Sequence, residues 1–310
     1  MLKHALGLFF TGFVYLLLPT PLLAAQPMTF TSWNMEWLSS TPSARVKESH
    51  RNVEDFAKLA MYFQKTNSDV LAFQEVNDLA AIKKVVGTNY QILFSDRSNP
   101  RYQRFQFDDI NQYTGFAIKK GIPFRDVGDI QLNKGNSKLR FASYVIIGNT
   151  SNELHVLNVH LKAGCSGAYK GNDACRTLRL ESQALGQWIS QRQNNKQTYL
   201  VLGDFNHNLA YRNDWLMNEL TSAGKIHLLT EDTKANCKVR SKKQPNKVHS
   251  FRSLIDHIIV SEGLSASQAE QKLFTSNDVL KYQLSDHCPV STTVTLAHHH
   301  DEQEKEIEKK

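Results

Sequence analysis

The chain has 310 residues, of which 41% are hydrophobic and 22% are charged, and its formal net charge is +7. This composition is that of a folded domain, and it excludes a disordered or fibrous chain. The length fits one large α/β domain or two ordinary ones, and because no linker-like stretch or internal repeat is visible, we predict one domain. The basic charge favours a polyanionic partner such as nucleic acid or an anionic membrane surface.

The first 25 residues differ in kind from the rest. Lys3 and His4 form a short polar start, residues 5–18 are largely apolar, and residues 23–25 end in two alanines suited to cleavage. This order predicts a secretory signal peptide at 1–25. The alternative is an uncleaved anchor, but a spanning helix needs about 20 apolar residues. We therefore expect a secreted or periplasmic protein that keeps no stable membrane anchor after signal cleavage.

The opposite end of the chain is also distinct. Residues 298–310 contain three adjacent histidines, many charges and a single aliphatic side chain, so they have nothing to bury. We predict a charged, disordered tail there and one domain over residues 26–297. A monomer is the expected state.

Within the domain, hydrophobic periodicity predicts strands that alternate with helices. The predicted helices cover 46–65, 78–86, 175–193 and 215–220. The predicted strands cover 30–38, 69–75, 90–94, 113–119, 141–147, 154–161 and 199–206, followed by two more in SLIDHIIV and in LSDHCPV with STTVTL. This alternation predicts an α/β layered fold, whose ligands collect where strand ends meet.

Polar side chains stand at or near the ends of most of these strands. In the stretch YLVLGDFN, alternation places Asp204 and Asn206 on one side and Phe205 on the other, where it can anchor in the core. Gly203 marks a turn or the close approach of another group. The full set of polar strand-end residues is Asn34, Glu75, His160, Asp204, Asn206, Asp256, Asp286 and His287.

This set of residues indicates a particular chemistry. Carboxylates and amides without thiolates suit Mg²⁺, Mn²⁺ or Ca²⁺ better than Zn²⁺. Histidines with additional carboxylates suit proton transfer and charge stabilisation. Phosphoryl transfer needs a cation, a positioned water and donors for developing charge. A serine hydrolase is disfavoured because the sequence has no G-x-S-x-G motif.

The four cysteines fit an exported protein. Cys165 and Cys175 flank a Gly/Ser/Asn-rich stretch that is typical of a loop closed by a disulfide. A zinc site is the alternative, but the sequence has no close C-x-x-C pair. Cys237 and Cys288 either pair with each other or remain free thiols.

Two basic stretches are candidates for substrate contact. Residues 95–112 interleave Arg97, Arg101 and Arg104 with aromatic side chains, a composition that can bind phosphates and stack on bases but also occurs in ordinary loops. We select Arg101 and Arg104 as the candidate substrate residues. Residues 234–247 are also rich in lysine and arginine, and we interpret them as a solvated loop.

Six short motifs follow one another over nearly the whole domain: WNMEWL, LAFQEV, LNVHL, LGDFN, SLIDHIIV and LSDHCPV. Each is weak alone, but the ordered series resembles the endonuclease/exonuclease/phosphatase superfamily of metal-dependent phosphoesterases, which includes pancreatic-type deoxyribonuclease and exonuclease III. The resemblance implies a two-sheet α/β sandwich, the four-layer deoxyribonuclease-like fold, with the active site at one edge.

The resemblance also implies a divalent metal, Mg²⁺ or else Mn²⁺ or Ca²⁺. Glu75 would be the main metal ligand, with Asn34 beside it and Asp286 as a further ligand.

The remaining residues would serve catalysis. Asp204 and Asn206 would orient the attacking water and the phosphate. His160 would donate toward the phosphate or the leaving oxygen. His287, held in its tautomer by Asp256, would act as base or as transition-state donor. The resemblance leaves open whether Asp204 or His287 takes the proton.

The motifs indicate the reaction better than the substrate, because the superfamily includes nucleases, sphingomyelin phosphodiesterases and inositol-phosphate phosphatases. Export, basic charge and the Arg/aromatic stretch favour a nuclease acting on DNA or RNA. The alternative is a secreted sphingomyelin or phospholipid phosphodiesterase or an inositol-phosphate phosphatase. The sequence shows no long apolar hairpin for membrane insertion, which counts against the lipid enzyme.

Overall fold

The computed structural model of the protein describes residues 27–135 and 137–296. The predicted signal peptide and the predicted charged tail lie outside the described residues. Within this part of the chain, no helix has both the length and the apolar character that crossing a bilayer requires.

The described residues form fifteen strands and five α-helices. The strands are β1 (Pro27–Leu38), β2 (Val70–Val76), β3 (Tyr90–Phe94), β4 (Tyr113–Lys119), β5 (Phe124–Asp126), β6 (Ser143–Ile147), β7 (Leu154–His160), β8 (Thr198–Asp204), β9 (Ile226–Leu228), β10 (Lys238–Arg240), β11 (Val248–Ser250), β12 (Asp256–Ser261), β13 (Ser265–Ala266), β14 (Glu270–Gln271) and β15 (Val290–Thr295). The helices are α1 (Val53–Thr66), α2 (Leu79–Val86), α3 (Asp173–Asn194), α4 (Trp215–Ala223) and α5 (Ser276–Lys281).

Two mixed sheets organise these elements. The first has the strand order β13-β15-β1-β2-β4-β3, with β14 also paired to β15, and the second has the order β5-β6-β7-β8-β12-β9. Each sheet contains one parallel pair near its centre, β1 with β2 in the first and β7 with β8 in the second. Because parallel strands end at the same edge of a sheet, each pair places two strand ends side by side.

The two sheets pack face to face, and helices cover their outer faces. In β8, Leu200 and Leu202 belong to the apolar cluster between the sheets, whereas Val201 belongs to the cluster that includes residues of α3 and α4. In β1, Phe30 faces the other sheet and Trp33 packs with residues of α1 and α2. This alternation produces four layers, and the predicted two-sheet α/β sandwich is confirmed.

A buried polar contact crosses the middle of the sandwich. Gln74 Nε2 of β2 donates to Asn158 Oδ1 of β7 at 2.7 Å, and Asn158 Nδ2 donates to the main-chain oxygens of Phe73 and Gly115 at 2.9 and 2.8 Å. Both side chains are fully buried. Since an unpaired buried amide is costly, this contact favours one register of the two sheets. Asn158 lies two residues before His160, and Gln74 lies one residue before Glu75.

The predicted helix at 46–65 begins too early. The structure has a short 3₁₀ turn at Lys47–Ser49, and α1 begins at Val53 with Asn52 as its N-cap. The reason lies in Arg51 between them. Its guanidinium Nη2 donates to the main-chain oxygens of Met35, Glu36 and Leu284 at 3.1, 2.8 and 2.9 Å. These bonds hold the chain extended where a helix was expected.

The stretch predicted to be a solvated basic loop contains more order than expected. Residues 238–240 and 248–250 pair as the hairpin β10–β11. The interpretation of residues 234–247 as a solvated loop was therefore wrong for residues 238–240. Cys237 at its base is bonded to Cys288, directly after His287. Cys165 and Cys175 form the other disulfide, as predicted, so neither pair is a zinc site.

Candidate active site

The ends of β1 and β2 supply Asn34 and Glu75. The two residues are next to each other because Asn34 pairs with Gln74 in the parallel register. Asn34 Nδ2 donates to Glu75 Oε1 at 3.2 Å and to Asp204 Oδ2 at 2.9 Å. The main-chain N–H of Trp37 donates to Glu75 Oε2 at 3.2 Å. Asn34 therefore links the carboxylates of the two sheets.

The ends of β7 and β8 supply His160 and Asp204, which are partners in the parallel register. His160 Nε2 lies 3.5 Å from Asp204 Oδ2 and 3.6 Å from Glu75 Oε1. The N–H of Asn206 donates to Asp204 Oδ1 at 2.8 Å, and its Nδ2 lies 3.2 Å from Asp204 Oδ2. Phe205 between them is fully buried, as alternation predicted.

Gly203 permits the close packing of β7 against β8. Its φ is +147°, and a Cβ at this position would lie 2.0 Å from the main-chain oxygen of Val159. The expected close approach is thus confirmed, and its partner is the neighbouring strand. A larger residue would push β7 and its terminal His160 away from Asp204.

The third group comes from β12 and the loop before β15. Asp256 faces Asp204 in the antiparallel register of β12 and β8. Asp256 Oδ2 accepts from His287 Nδ1 at 2.8 Å, so Nε2 is the ring atom turned toward the site. That Nε2 lies 3.9 Å from Asp204 Oδ2 and 3.7 Å from Asp286 Oδ1. Ser285 Oγ accepts from the His287 N–H and donates to the Asn34 carbonyl, which fixes this loop on β1.

The structure therefore brings together all eight residues of the predicted set. Their catalytic and metal-binding roles remain predictions, but the contacts place them in one connected site. Asn34, His160, Asp204 and Asp256 are all at least nine-tenths buried.

Burial and charge shift the protonation of this site. Burial raises the pKa of Asp204 to about 7, and the carboxylate of Asp256 adds to the effect. Burial and then Asp286 raise the pKa of Glu75. Burial holds the pKa of His160 well below its ordinary value, which keeps that ring neutral.

His287 differs from His160. Burial alone would lower the pKa of His287, but the carboxylates of Asp256 and Asp204 raise it well above the ordinary value. One histidine is thus a neutral donor and the other a cation.

Glu36 is a site residue that the sequence analysis did not select. Its side chain is 7% exposed, and among the described residues its carboxylate has no hydrogen-bond or ion-pair partner. Burial, followed by the charge of Asp286, raises its pKa to about 8. Glu36 lies two residues after Asn34 in a predicted strand, and this spacing was the signal that could have identified it.

The carboxylates fit a hard divalent cation. Glu36 lines a cavity and has no side-chain partner among the described residues, and Asp286 and Glu75 are near enough for their charges to raise its pKa. A second group, Asp204, Asp256 and His287, has ligand atoms within 4.8 Å of one another. Among the described residues only the second group has its ligand atoms this close together. We nevertheless favour the first group, because it consists of carboxylates and because the raised pKa of His287 keeps that ring protonated and unable to bind a metal.

Three cavities adjoin the site in the described part of the chain, and the smallest, of about 50 Å³, is lined by Asp256, Asp286 and His287 among others. The other two are larger. The first, of about 210 Å³, is lined by Glu36 and Asp286 together with Lys47, Arg240 and Lys242. The second, of about 370 Å³, is named here the aromatic cleft, and it is lined by Trp37, Phe107, Lys138, Arg140 and Lys162 among others.

The three candidate arginines of residues 95–112 have different positions. Arg97 is 1% exposed, and its guanidinium donates to Phe105 O, Asn111 Oδ1 and Lys138 O. It therefore stabilises the loop and has little capacity left for phosphate. Arg101 is exposed and lies 3.1 Å from Asp96 Oδ1. Arg104 is also exposed, and neither of these two lines the aromatic cleft.

Arg140 is a half-buried residue that the sequence did not reveal. Its Nε and Nη2 donate to the carbonyls of His160 and Leu161 at 3.2 and 2.6 Å. Its charge stabilises Glu75 and Asp204, which carry the negative charge of the site. No local pattern marked it, because it follows a stretch with little regular structure.

The profile of the Endonuclease/Exonuclease/phosphatase family matches residues 31–287 of the chain. No curated protein matches the sequence. Among solved structures, a Bacteroides thetaiotaomicron protein of that family is 16% identical over 88% of this chain and 99% of its own, with a TM-score of 0.61.

Two further solved structures share the fold. Bacteroides thetaiotaomicron mannosyl-6-phosphatase is 16% identical over 86% of this chain and 99% of its own, with a TM-score of 0.58. D. rerio TDP2 complexed with single strand DNA product is 16% identical over 87% of this chain and 99% of its own, with a TM-score of 0.57. Because the family profile spans most of the chain, the protein belongs to the endonuclease/exonuclease/phosphatase family of divalent-metal-dependent phosphoester hydrolases.

Proposed function

We propose that the protein is an exported nuclease that hydrolyses phosphodiester bonds of DNA or RNA with Mg²⁺, by in-line attack of water. The observation that carries this proposal is the charge of the aromatic cleft. Arg97, Lys138, Arg140 and Lys162 line it, and its described lining residues include no carboxylate. A cleft with this charge beside a phosphoester-hydrolysing centre suits a substrate with more than one phosphate.

Glu75, Asn34 and Asp286 are the proposed ligands of the cation, and Glu36 is proposed as an additional one. A bound Mg²⁺ would neutralise charge on a nonbridging phosphate oxygen. The inward-facing carboxylates would be poorly stable without it, because burial and mutual repulsion disfavour their charged forms.

Asp204 is the proposed base for the attacking water. Asn206 N–H and Asn34 Nδ2 donate to its two oxygens and so fix the direction of its free lone pairs. His287 is the proposed stabiliser of charge on the phosphate, because Asp256 holds its Nδ1 and leaves Nε2–H facing Asp204 and Asp286. We therefore propose that Asp204, rather than His287, takes the proton.

His160 is the proposed donor to the phosphate or the leaving oxygen. Its Nε2 faces Glu75 and Asp204, whereas its buried Nδ1 has no hydrogen-bond partner among the described residues. A neutral ring with Nε2–H directed at the site can donate without first being charged.

Export is supported by the two disulfides, since such bonds persist in oxidising compartments. The proposed signal peptide at 1–25 would direct the chain to the periplasm or the medium. Nucleic acid is the proposed partner, and the chain is proposed to act as a monomer without a membrane anchor.

The related folds allow more than one substrate class. TDP2 from D. rerio is described in complex with a single strand DNA product, and the Bacteroides thetaiotaomicron relative is described as a mannosyl-6-phosphatase. We favour nucleic acid because the cationic cleft extends beyond the proposed phosphate site.

The test is hydrolysis by the mature protein of plasmid DNA, single-stranded DNA, RNA, sphingomyelin and phosphoinositides, each with Mg²⁺ and with excess chelator. We expect cleavage of nucleic acid with Mg²⁺ alone, and loss of that cleavage in Glu75→Ala and His287→Ala at unchanged far-UV circular dichroism. Cleavage of sphingomyelin or phosphoinositide with no action on nucleic acid would refute the substrate, and full activity in chelator would refute the metal.

A further inference from the structure

Phe107 is an exposed aromatic side chain in the wall of the aromatic cleft. It is 47% exposed, although the loop that carries it is well fixed. Its N–H donates to Asn111 Oδ1 at 2.9 Å, and its carbonyl accepts from Asn111 Nδ2 at 2.8 Å. Asn111 is buried and also accepts from Arg97. The ring therefore stands on a rigid base while a large part of its surface faces solvent.

Two cations lie over this ring, and one of them, Lys138, is on an exposed side chain. Lys138 Nζ is 5.2 Å and Arg97 Cζ is 5.9 Å from its centroid. Arg97 is occupied by main-chain acceptors, but Lys138 has no acidic ion-pair partner among the described residues. An aromatic face beside a free cation matches the two parts of a nucleotide, a flat base and an anionic phosphate.

Two residues that line the cleft also contact residues of the proposed active site. Trp37 lines the cleft, and its main-chain N–H donates to Glu75 Oε2. Arg140 also lines the cleft, and its Nε donates to the carbonyl of His160. Lys162, two residues after His160, supplies another cation to the lining. A chain whose scissile phosphate lies at Glu75 and His160 would thus have its neighbouring nucleotide at this cleft.

We propose that the aromatic cleft is a nucleotide subsite for single-stranded nucleic acid, in which an unpaired base stacks on Phe107 while Lys138 and Lys162 contact adjacent phosphates. The inference rests on the proposed nuclease function and narrows its substrate. Bases in a duplex are already stacked on both faces, so only an unpaired base can use the ring.

The experiment measures binding of two strands of equal length and charge, an oligo-dT and the same oligomer with abasic sites in place of every base. Binding is measured by fluorescence anisotropy with Mg²⁺ in a His160→Ala background, so that no strand is cut. The parent should bind oligo-dT more tightly than the abasic strand. Phe107→Ala should reduce this preference about fivefold or more, the effect of losing one stacked base.

Further variants separate stacking from other effects. Phe107→Tyr should keep the preference, and Phe107→Leu, which keeps apolar volume without an aromatic face, should lose most of it. Lys138→Ala should weaken the binding of oligo-dT and of the abasic strand by the same factor. Leu273→Ala is the matched control, because Leu273 is also 47% exposed and lies outside the cleft. The abasic strand controls within each variant for folding and metal loading.

The outcomes distinguish the subsite from the function. If nucleic acid is cleaved but Phe107→Ala and Phe107→Leu retain the full preference for bases, the subsite is wrong and the nuclease function stands. Equal affinity of the parent for duplex and single strand would also overturn the subsite. If the protein neither binds nor cleaves any nucleic acid while it hydrolyses a lipid or inositol phosphate, both proposals are wrong.

Discussion

Four residues at the strand ends of the active site have positive φ angles although none is glycine. Glu36, Trp37, Glu75 and Asn206 have φ values of 44°, 53°, 58° and 52°. Such conformations cost about 1–3 kcal/mol each and persist where surrounding contacts determine them. At Glu36, the side-chain oxygen of Asn34 accepts from the main-chain N–H. The guanidinium of Arg51 donates to the carbonyls of the residues on either side, Met35 and Trp37. Catalytic geometry is thus maintained by strained backbone.

Glu36 provides a prediction at the scale of one residue. Glu36→Gln keeps the shape of the side chain and removes a carboxyl group whose charged form burial disfavours. We expect the metal-free variant to be at least as stable as the parent to urea, and its activity to require on the order of 10-fold more Mg²⁺. The measurements are urea unfolding in chelator and a Mg²⁺ titration of hydrolysis.

Glu48→Gln is the control for this prediction, since Glu48 lines the same 210 Å³ cavity. It should leave the Mg²⁺ requirement unchanged. An unaltered Mg²⁺ requirement in Glu36→Gln would remove Glu36 from the proposed ligand set.

At the scale of elements, the hairpin β10–β11 is joined to the catalytic loop by the bond between Cys237 and Cys288. Arg240 Nη2 adds a hydrogen bond to the Tyr282 carbonyl at 3.1 Å, and Lys242 Nζ lies 3.5 Å from Asp286 Oδ2. The hairpin therefore supports the loop that carries both Asp286 and His287.

We expect Cys237→Ser with Cys288→Ser to lower kcat about 10- to 100-fold, because displacements of about 1 Å have effects of this size. The loss of the cross-link, with a sequence separation of 51, should also cost about 4 kcal/mol of stability on the chain-entropy model. The measurements are kcat well below the melting temperature and thermal unfolding.

The control is Cys165→Ser with Cys175→Ser, which removes the cross-link of separation 10 and should cost about 3 kcal/mol. Its kcat should fall much less. Equal kcat values for the two double variants, per folded molecule, would contradict a specific role of the hairpin.

Elements with strong local signals could be predicted from the sequence. β3 and β4 match their predicted bounds, and the ends of β7 and β8 hold His160 and Asp204 as expected, because each apolar run ends where polar side chains begin. The helix start before α1 could not be predicted, since Arg51 is held by carbonyls distant in sequence. The role of Arg140 could not be predicted either, because its guanidinium donates to main-chain carbonyls at the end of β7. The spacing of Glu36 from Asn34 could have identified it as a site residue, but its left-handed conformation is a tertiary effect that the sequence does not show.

At the scale of the whole molecule, basic charge should appear as salt dependence of nucleic-acid binding. If Arg101 and Arg104 contact phosphates, their joint change to alanine should reduce the slope of log Kd against log salt by about 0.9 for each lost duplex contact. The measurement is duplex binding by the His160→Ala protein over a range of salt concentrations.

Arg125→Ala is a matched control, because Arg125 is as exposed as Arg101 and is also ion-paired, with side-chain exposures of 56% and 60%. It should leave the slope unchanged. A slope that is the same in the Arg101/Arg104 double variant would show that these two arginines do not meet the substrate.

The pH dependence of stability should depend in part on His155, which is buried far along β7 from the site. Burial, followed by the charge of Arg192, lowers the pKa of His155 to about 4. Tyr144 bridges the two side chains, since its hydroxyl contacts His155 Nδ1 and accepts from Arg192 at 2.6 Å. The unfolded chain therefore binds a proton near pH 6.5 that the folded chain binds only near pH 4.

Stability should thus fall as the pH decreases from about 7 to about 4, by about 1–2 kcal/mol at pH 5 from this residue. His155→Gln should lose that part of the decline, and urea unfolding at pH 7.5 and pH 5 would measure it. A decline of the same size in His155→Gln would refute the assignment.

Glu36 and Trp37 are consecutive in sequence, yet they line different cavities, Glu36 the 210 Å³ cavity and Trp37 the aromatic cleft. A single residue inserted or deleted between Asn34 and Glu36 would displace both side chains from their cavities. We therefore expect such a change to alter metal preference and substrate range at the same time. Laboratory evolution toward new substrates should instead vary Phe107 and Lys138, because their loops contribute none of the proposed metal ligands.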